Sequence, residues 1–259
     1  MNFFDTHAHF PNDEAKIADL LARASESGVS RLMAVGGSLE LNESAQLAKS
    51  VAENMASSPE VFIALGMDRD QTASTDSACP RYDFSAVVEN RKKISAIGEI
   101  GLDFHYSPES AKMQCDLFAA QLELAKELNL PVVIHTRDAD DATLGVLDEA
   151  DFHNGIIHCF TGSVPFEKKL LDRGFMISIS GIVTFRAAEN VRDAARYVPD
   201  DRLLVETDSP FLAPVPVRGK ENEPSFLKYT LEFLANLRNV KPEILASLTT
   251  DNARSFLKF

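Results

Sequence analysis

Short apolar runs alternate with amphipathic stretches along the whole of this 259-residue chain. The runs Phe3–Ala8, Arg31–Val35, Val61–Gly66, Ala96–Ile100, Val132–His135, Gly155–Phe160, Met176–Ser180 and Leu203–Glu206 are mostly continuous in apolar character rather than alternating. Strands covered on both faces read this way. Between them, Ala15–Ser27, Leu41–Met55, Ala111–Leu128, Ala139–Glu149, Pro165–Arg173 and Ala187–Tyr197 carry apolar residues at helical spacing. Glu223–Leu237 and Pro242–Phe256 follow, as a last outer helix and an extra closing one. Eight such repeats predict an α/β fold, a single-domain (β/α)8 TIM barrel over residues 1–259, in preference to an open doubly wound sheet. No linker, internal repeat or low-complexity tract marks a second domain. The one loop-like insertion, Asp68–Tyr82, falls at a β-to-α connection, the side on which barrels build their sites. Its plainer reading is a solvated surface loop.

Composition narrows the setting. Hydrophobic residues make up 45% and charged ones 25%, enough for a sizeable core. No apolar run is long enough to span a membrane and no signal-peptide pattern precedes the first strand. The three cysteines, Cys79, Cys115 and Cys159, are odd in number and far apart. They read as reduced thiols of a cytoplasmic protein, Cys159 as a small buried hydrophobe. The net charge of −13 argues against a long basic groove for nucleic-acid backbone. A locally held anionic substrate is compatible with it, because bound divalent metals invert the field around them. Neither a membrane nor an obligate protein partner is implied, and a monomer is expected.

Candidate chemistry gathers at the predicted strand ends. In FFDTHAHF, His7 and His9 stand two apart, so on a strand they share a face, as two nitrogen ligands of one metal require. Alone, that spacing equally suits two ordinary histidines. The fourth strand carries Glu99 with Asp103 just beyond, the fifth His135, the sixth His158, and the eighth Asp208 with Glu206 two before it. Four of the six histidines therefore sit at strand ends, whereas His105 and His153 fall in loops. Each could separately be packing or a cap, but together they describe a metal centre of His7, His9, Glu99, His135, His158 and Asp208. Six ligands exceed one tetrahedral ion, so two divalent ions are expected, with Glu99 as the natural bridge.

The blocks HAHF, GEIGLDF, VIHTRDA, HCFTGS, ETDSPFL and RGKENEP, in this order, resemble the motifs of the TatD family of metal-dependent deoxyribonucleases, within the amidohydrolase-like barrels. The resemblance runs from Asp5 to about Ala253. It implies that His7, His9, Glu99 and Asp208 hold one ion and that Glu99, His135 and His158 hold the other. It also implies a hydrolase acting on DNA, as an endonuclease or 3′–5′ exonuclease. The chain departs from the family after the third strand: the usual Leu-Gly-x-His-Pro is here Leu65-Gly66-Met67-Asp68-Arg69. The absent histidine is not one of the six ligands but lies near the substrate in the family, so the departure bears on substrate choice or rate.

Two ions bridged by Glu99 would acidify a water for attack, and Asp208 is the candidate to orient it and take its proton. Arg218 and Lys220, after the eighth strand with Gly219 between them, are candidate phosphate contacts, with a surface turn as the plainer reading. Thr161-Gly162-Ser163 is either a donor cluster or a helix cap, and Arg137 either reaches the mouth or pairs with Asp138 or Asp140. Histidine-rich ligation favours Zn²⁺ or Mn²⁺, while a carboxylate-bridged pair acting on phosphate also suits Mg²⁺. The leading reading is a phosphodiesterase acting on DNA ends or single strands. The alternatives are a small-molecule amidohydrolase or esterase using the same centre, and a barrel that binds without catalysis.

Overall fold

The strands are buried along most of their length, as continuous apolar runs covered on both faces require. A computed structural model describes residues 2–74 and 82–257. Its strands are β1 (Phe3–Ala8), β2 (Val29–Gly37), β3 (Glu60–Met67), β4 (Ala96–Asp103), β5 (Val132–Arg137), β6 (Gly155–Ile157), β7 (Met176–Ile179) and β8 (Leu203–Val205). They lie side by side in sequence order, every neighbouring pair parallel. At the C-terminal rim β1 meets the segment that follows β8, where Ala8 bridges Ser209 and the Asp208 N–H donates to the His7 carbonyl at 2.9 Å. The fold is thus the TIM barrel that the pattern predicts.

Helices α1 (Glu14–Glu26), α2 (Leu39–Asn54), α3 (Ser85–Glu89), α4 (Ala111–Leu128), α5 (Asp140–Glu149), α6 (Val164–Leu171), α7 (Glu189–Tyr197), α8 (Leu227–Leu237) and α9 (Pro242–Leu257) complete the chain. Several start on a side-chain cap: Asp13 accepts from the Lys16 N–H, Ser38 from Leu41 and Ser163 from Phe166. The short α3 went unpredicted, because five residues show no helical period. Residues 75–81, which include Cys79 and about half of the predicted insertion, lie outside the described part. None of the described helices is long and apolar enough to cross a membrane.

Two apolar layers result. One lies between strands and helices, with Leu32, Ile63, Ile97, Ile134, Ile157, Ile177 and Val205 among its strand residues. The other fills the barrel, where Phe4, Met33, Phe62, Val133, Ile156, Met176 and Leu204 pack with Ala253 and Leu257 of α9. Helix α9 thereby stops the N-terminal end of the barrel, its Asn252 amide donating to the Leu203 carbonyl at 2.9 Å.

The opposite, C-terminal end is braced by buried amides. Gln121 of α4 exchanges two 2.8 Å hydrogen bonds with the Met67 backbone. Gln114 exchanges bonds of 2.8 and 3.1 Å with the Asp103 backbone, and Asn42 of α2 accepts from the Gly37 and Gly66 N–H groups. These bonds satisfy backbone groups where the ladders end, and so fix the loops from which the site is built.

Candidate metal centre

Alternation alone would send His7 to the same face as Phe3 and Asp5. A register shift between Asp5 and Ala8 inserts one extra residue opposite β2, and another between Ile97 and Ile100 does so opposite β5. Such bulges re-aim side chains, and these two fall beside His7 and at Glu99. Beyond β6 and β8 the chain leaves the ladder through left-handed residues, Cys159 at φ 45° and Asp208 at φ 57°. For residues other than glycine that conformation is uncommon and is held by its surroundings. Gly101, at φ 124°, has no such freedom to be replaced: a Cβ there would lie 2.1 Å from the His135 carbonyl oxygen.

All six predicted ligand residues converge at the mouth. Glu99 Oε2 lies 3.5 Å from both His7 Nε2 and His9 Nε2, while Asp208 Oδ1 is 3.8 and 3.9 Å from the same nitrogens. The other oxygen, Glu99 Oε1, lies 3.2 Å from His135 Nδ1 and 3.5 Å from His158 Nε2. His7 stacks on His158 with ring centroids 3.9 Å apart and so sits between the two groups.

The far nitrogens explain why these rings point as they do. His9 Nδ1 is 2.9 Å from the Val35 carbonyl, which can only accept. His135 Nε2 is 3.0 Å from Asp103 Oδ2, and His158 Nδ1 is 3.3 Å from Glu206 Oε1. The His9 and His135 contacts place the N–H on the outer nitrogen and turn a lone pair inward, the arrangement found around metal-ligating histidines, while at His158 the Glu206 carboxylate acts through its charge at 3.3 Å. Asp103 is itself held by the His105 and Tyr106 N–H groups, and Glu206 by the Cys159 N–H. Asp5 accepts from Thr207, tying β1 to the Asp208 segment.

This donor set fits a cation. His7 Nε2 and His9 Nε2 are 3.1 Å apart, as are His135 Nδ1 and His158 Nε2, so inward lone pairs face each other at contact distance and call for positive charge between them. The electrostatics agree. Burial opposes charge on His158, yet Glu99 and Glu206 draw its pKa well above the usual value; burial is likewise outweighed at His9 and His135. Burial would raise Glu99, but the surrounding imidazoles hold it well below the carboxylate range. Burial pushes Asp208 up to about 6 and, with His158 nearby, His7 down to about 3. Donor atoms of His7, Glu99 and His158, and of His7, His9 and Asp208, lie within 4.8 Å of one another, as a metal ion requires.

A cavity of about 590 Å³ opens over the centre, lined by His9, Glu99, His135, His158 and Asp208, and also by Asp68, Arg69 and Phe211. Arg218 and Lys220 are not on its wall, and the Arg218 guanidinium instead stacks over Phe185 at 4.3 Å. Arg137 lies over the Tyr106 ring, and Ser163 serves as the cap of α6. His105 and His153 pair with Asp138 and Asp151, away from the centre. Cys159 is half-buried in the turn after His158, not within a strand, with Sγ 3.1 Å from Ser180 Oγ. Sequence reasoning missed Arg69, whose Nη1 reaches Glu99 Oε1 at 3.0 Å; its only signal was the departure from the family pattern at that position.

The comparisons agree with this geometry. A family model described as TatD related DNase matches residues 4–258. An uncharacterized metal-dependent hydrolase of Escherichia coli, YcfH, is 54% identical over 166 residues, a match spanning 63% of this chain and 63% of that protein. The 3′-5′ ssDNA/RNA exonuclease TatD of Salmonella typhimurium is 32% identical across 93% of this chain and 92% of its own length. Among solved structures, YJJV, a TatD homolog from Escherichia coli, superposes with a TM-score of 0.86 at 27% identity, covering 99% of this chain and 98% of the other.

Proposed function

This chain belongs to the TatD related DNase family, and from that premise we propose that it is a metal-dependent hydrolase cleaving phosphodiester bonds of DNA. Its preferred substrates are ends or single strands, attacked in the 3′-to-5′ direction. The observation that carries the reading is the division of Glu99: one oxygen belongs with His7, His9 and Asp208, the other with His135 and His158. His7, His9 and Asp208 would hold one divalent ion and His135 and His158 a second, with Glu99 serving both, which would account for that division. The relative named as an exonuclease supports the substrate class.

Bound divalent ions would bring the pKa of water toward neutrality and offset negative charge on a phosphoryl group. The protein supplies the rest. Asp103 and the Val35 carbonyl keep His135 and His9 in the tautomers that present lone pairs inward, and the buried Glu206 carboxylate lies 3.3 Å from the outer nitrogen of His158. Asp208 is buried, and its backbone is fixed by hydrogen bonds to His7 and Phe211. A carboxylate so placed orients the attacking water and accepts its proton in an in-line displacement. Histidine-rich ligation suits Zn²⁺ or Mn²⁺, and the carboxylate bridge admits Mg²⁺.

The test is release of nucleotides from labelled single-stranded DNA with added Mg²⁺, Mn²⁺ or Zn²⁺, comparing wild type with Glu99→Ala. Metal-dependent cleavage should fall by about three orders of magnitude or more in the variant, with an unchanged circular dichroism spectrum. Intact DNA alongside rapid hydrolysis of a neutral ester or amide would replace the nuclease with a small-molecule hydrolase.

A further inference from the structure

The two walls of the cavity differ in chemistry. On one side Arg69 follows β3, its loop anchored by the Gln121 bonds to Met67 and by the Asp68 N–H on the Gly37 carbonyl. The guanidinium is largely buried, and it reaches Glu99 Oε1 at 3.0 Å and Asp70 at 3.6 Å. Of the other cations on the wall, Arg23 is committed to Glu223 through contacts of 2.7 to 3.1 Å and Lys16 stands exposed at the rim. Among the described residues, Arg69 is thus the cation beside the candidate ligands. It uses the same Glu99 oxygen that the His135 and His158 group would share with an ion. An arginine keeps its charge and offers five donors in a fixed fork matched to phosphate oxygens. Competition for Glu99 would leave that fork in need of another anion at the place where a phosphate must sit.

Phe211 forms the facing wall. It is 58% exposed, although its backbone is pinned by Asn222 and by the Asp208 carbonyl. Its ring lies 6.3 Å from His9, edge-on, with Pro210, Leu20 and Leu41 along the same cavity. A rigid, water-facing aromatic beside a phosphate site offers a planar surface for a nucleobase.

We propose that the cavity seats one unpaired nucleotide, with Arg69 gripping its phosphate and Phe211 stacking on its base. This rests on the phosphodiesterase reading above and moves the phosphate contact from Arg218 and Lys220 to Arg69. A base stacked in this way cannot remain in a duplex, so the same two residues select frayed or single-stranded ends.

The experiment is calorimetric titration of the metal-loaded protein with thymidine 5′-monophosphate and, separately, with thymidine, together with metal content. Arg69→Gln should weaken the monophosphate about tenfold or more while leaving thymidine unchanged. Arg69→Lys, a point charge without the fork, should fall between it and wild type. Phe211→Ala should weaken both ligands about fivefold or more. Unchanged monophosphate binding in Arg69→Gln, with altered metal affinity alone, would make Arg69 a counter-ion of Glu99 and overturn its role as phosphate contact. Unchanged thymidine binding in Phe211→Ala would overturn the stacking. A wild type that binds no monophosphate would remove the nuclease reading along with this inference.

Discussion

At the N-terminal end of the barrel, Phe4, Met33, Phe62, Val133, Ile156, Met176 and Leu204 meet beneath Ala253 and Leu257 of α9. At the C-terminal end of the same strands, His7, Glu99, His158 and Asp208 are almost as well buried, yet they are polar and crowd nitrogen against oxygen. Between the two ends lies a thin polar step, where Thr6 meets Ser178 at 3.0 Å. Burial is therefore not what separates the ends. The lower end gains stability from every contact it makes. The upper end desolvates charges that only a bound cation would fully compensate. Stability and chemistry are separated along the strand axis, so a change at one end should leave the other intact.

The largest effect that sharpens this contrast is Phe4→Ala. Phe4 is 1% exposed and stacks on Phe62 at 5.8 Å. Truncating a buried phenylalanine costs about 3 to 5 kcal/mol, which for a chain of this size lowers Tm by roughly 10 °C. Metal stoichiometry, measured by plasma mass spectrometry on the folded variant, should match wild type. Loss of metal from a folded Phe4→Ala protein would show that the two ends are coupled.

Next is Asp103→Asn, aimed at the upper end. Asp103 faces His135 Nε2, while Nδ1 of the same ring faces Glu99. An amide can present its N–H to Nε2 and so favour the wrong tautomer. Metal affinity of the His135 and His158 group should fall about 10- to 100-fold, with little change at His7 and His9. A two-step metal titration would show this as weakening of one step. Equal weakening of both steps would mean that the Glu99 oxygens do not serve separate ions.

How much of this contrast could be read from the chain differs by level. The eight apolar runs were legible because parallel strands are buried on both faces and need little beyond apolar residues. The convergence of the six candidate ligand residues was legible because histidines and carboxylates recurred where such runs stop. What brings His7 and Glu99 inward was not. The extra residues in β1 and β4 belong to a pairing register that depends on the neighbouring strand. The orienting contacts join residues far apart in sequence, such as Glu206 with His158 and Val35 with His9. Arg218 followed the eighth strand, as a phosphate contact in a barrel commonly does, but the chain turns it onto Phe185.

The smallest predicted effect lies at neither end and asks whether an uncompensated buried charge is confined to the mouth. Glu167, on α6, is buried with no hydrogen-bond partner for either carboxylate oxygen among the described residues. Burial raises its pKa to about 8, against the weaker opposing pull of Arg238. The unfolded chain then releases this proton near pH 4.5 and the folded one only near pH 8. Between those values the folded state binds more protons, so stability falls as pH rises and levels off above about 8. Glu167→Met keeps the volume and removes the ionisable group. It should stabilise the protein by about 1 to 2 kcal/mol at pH 7.5 and by close to nothing at pH 4. Denaturant unfolding at the two pH values reads the difference directly. An equal gain at both would mean that Glu167 remains neutral throughout and that the effect is packing; with the predicted slope, the mouth is not the only place where this barrel buries an acid at a cost.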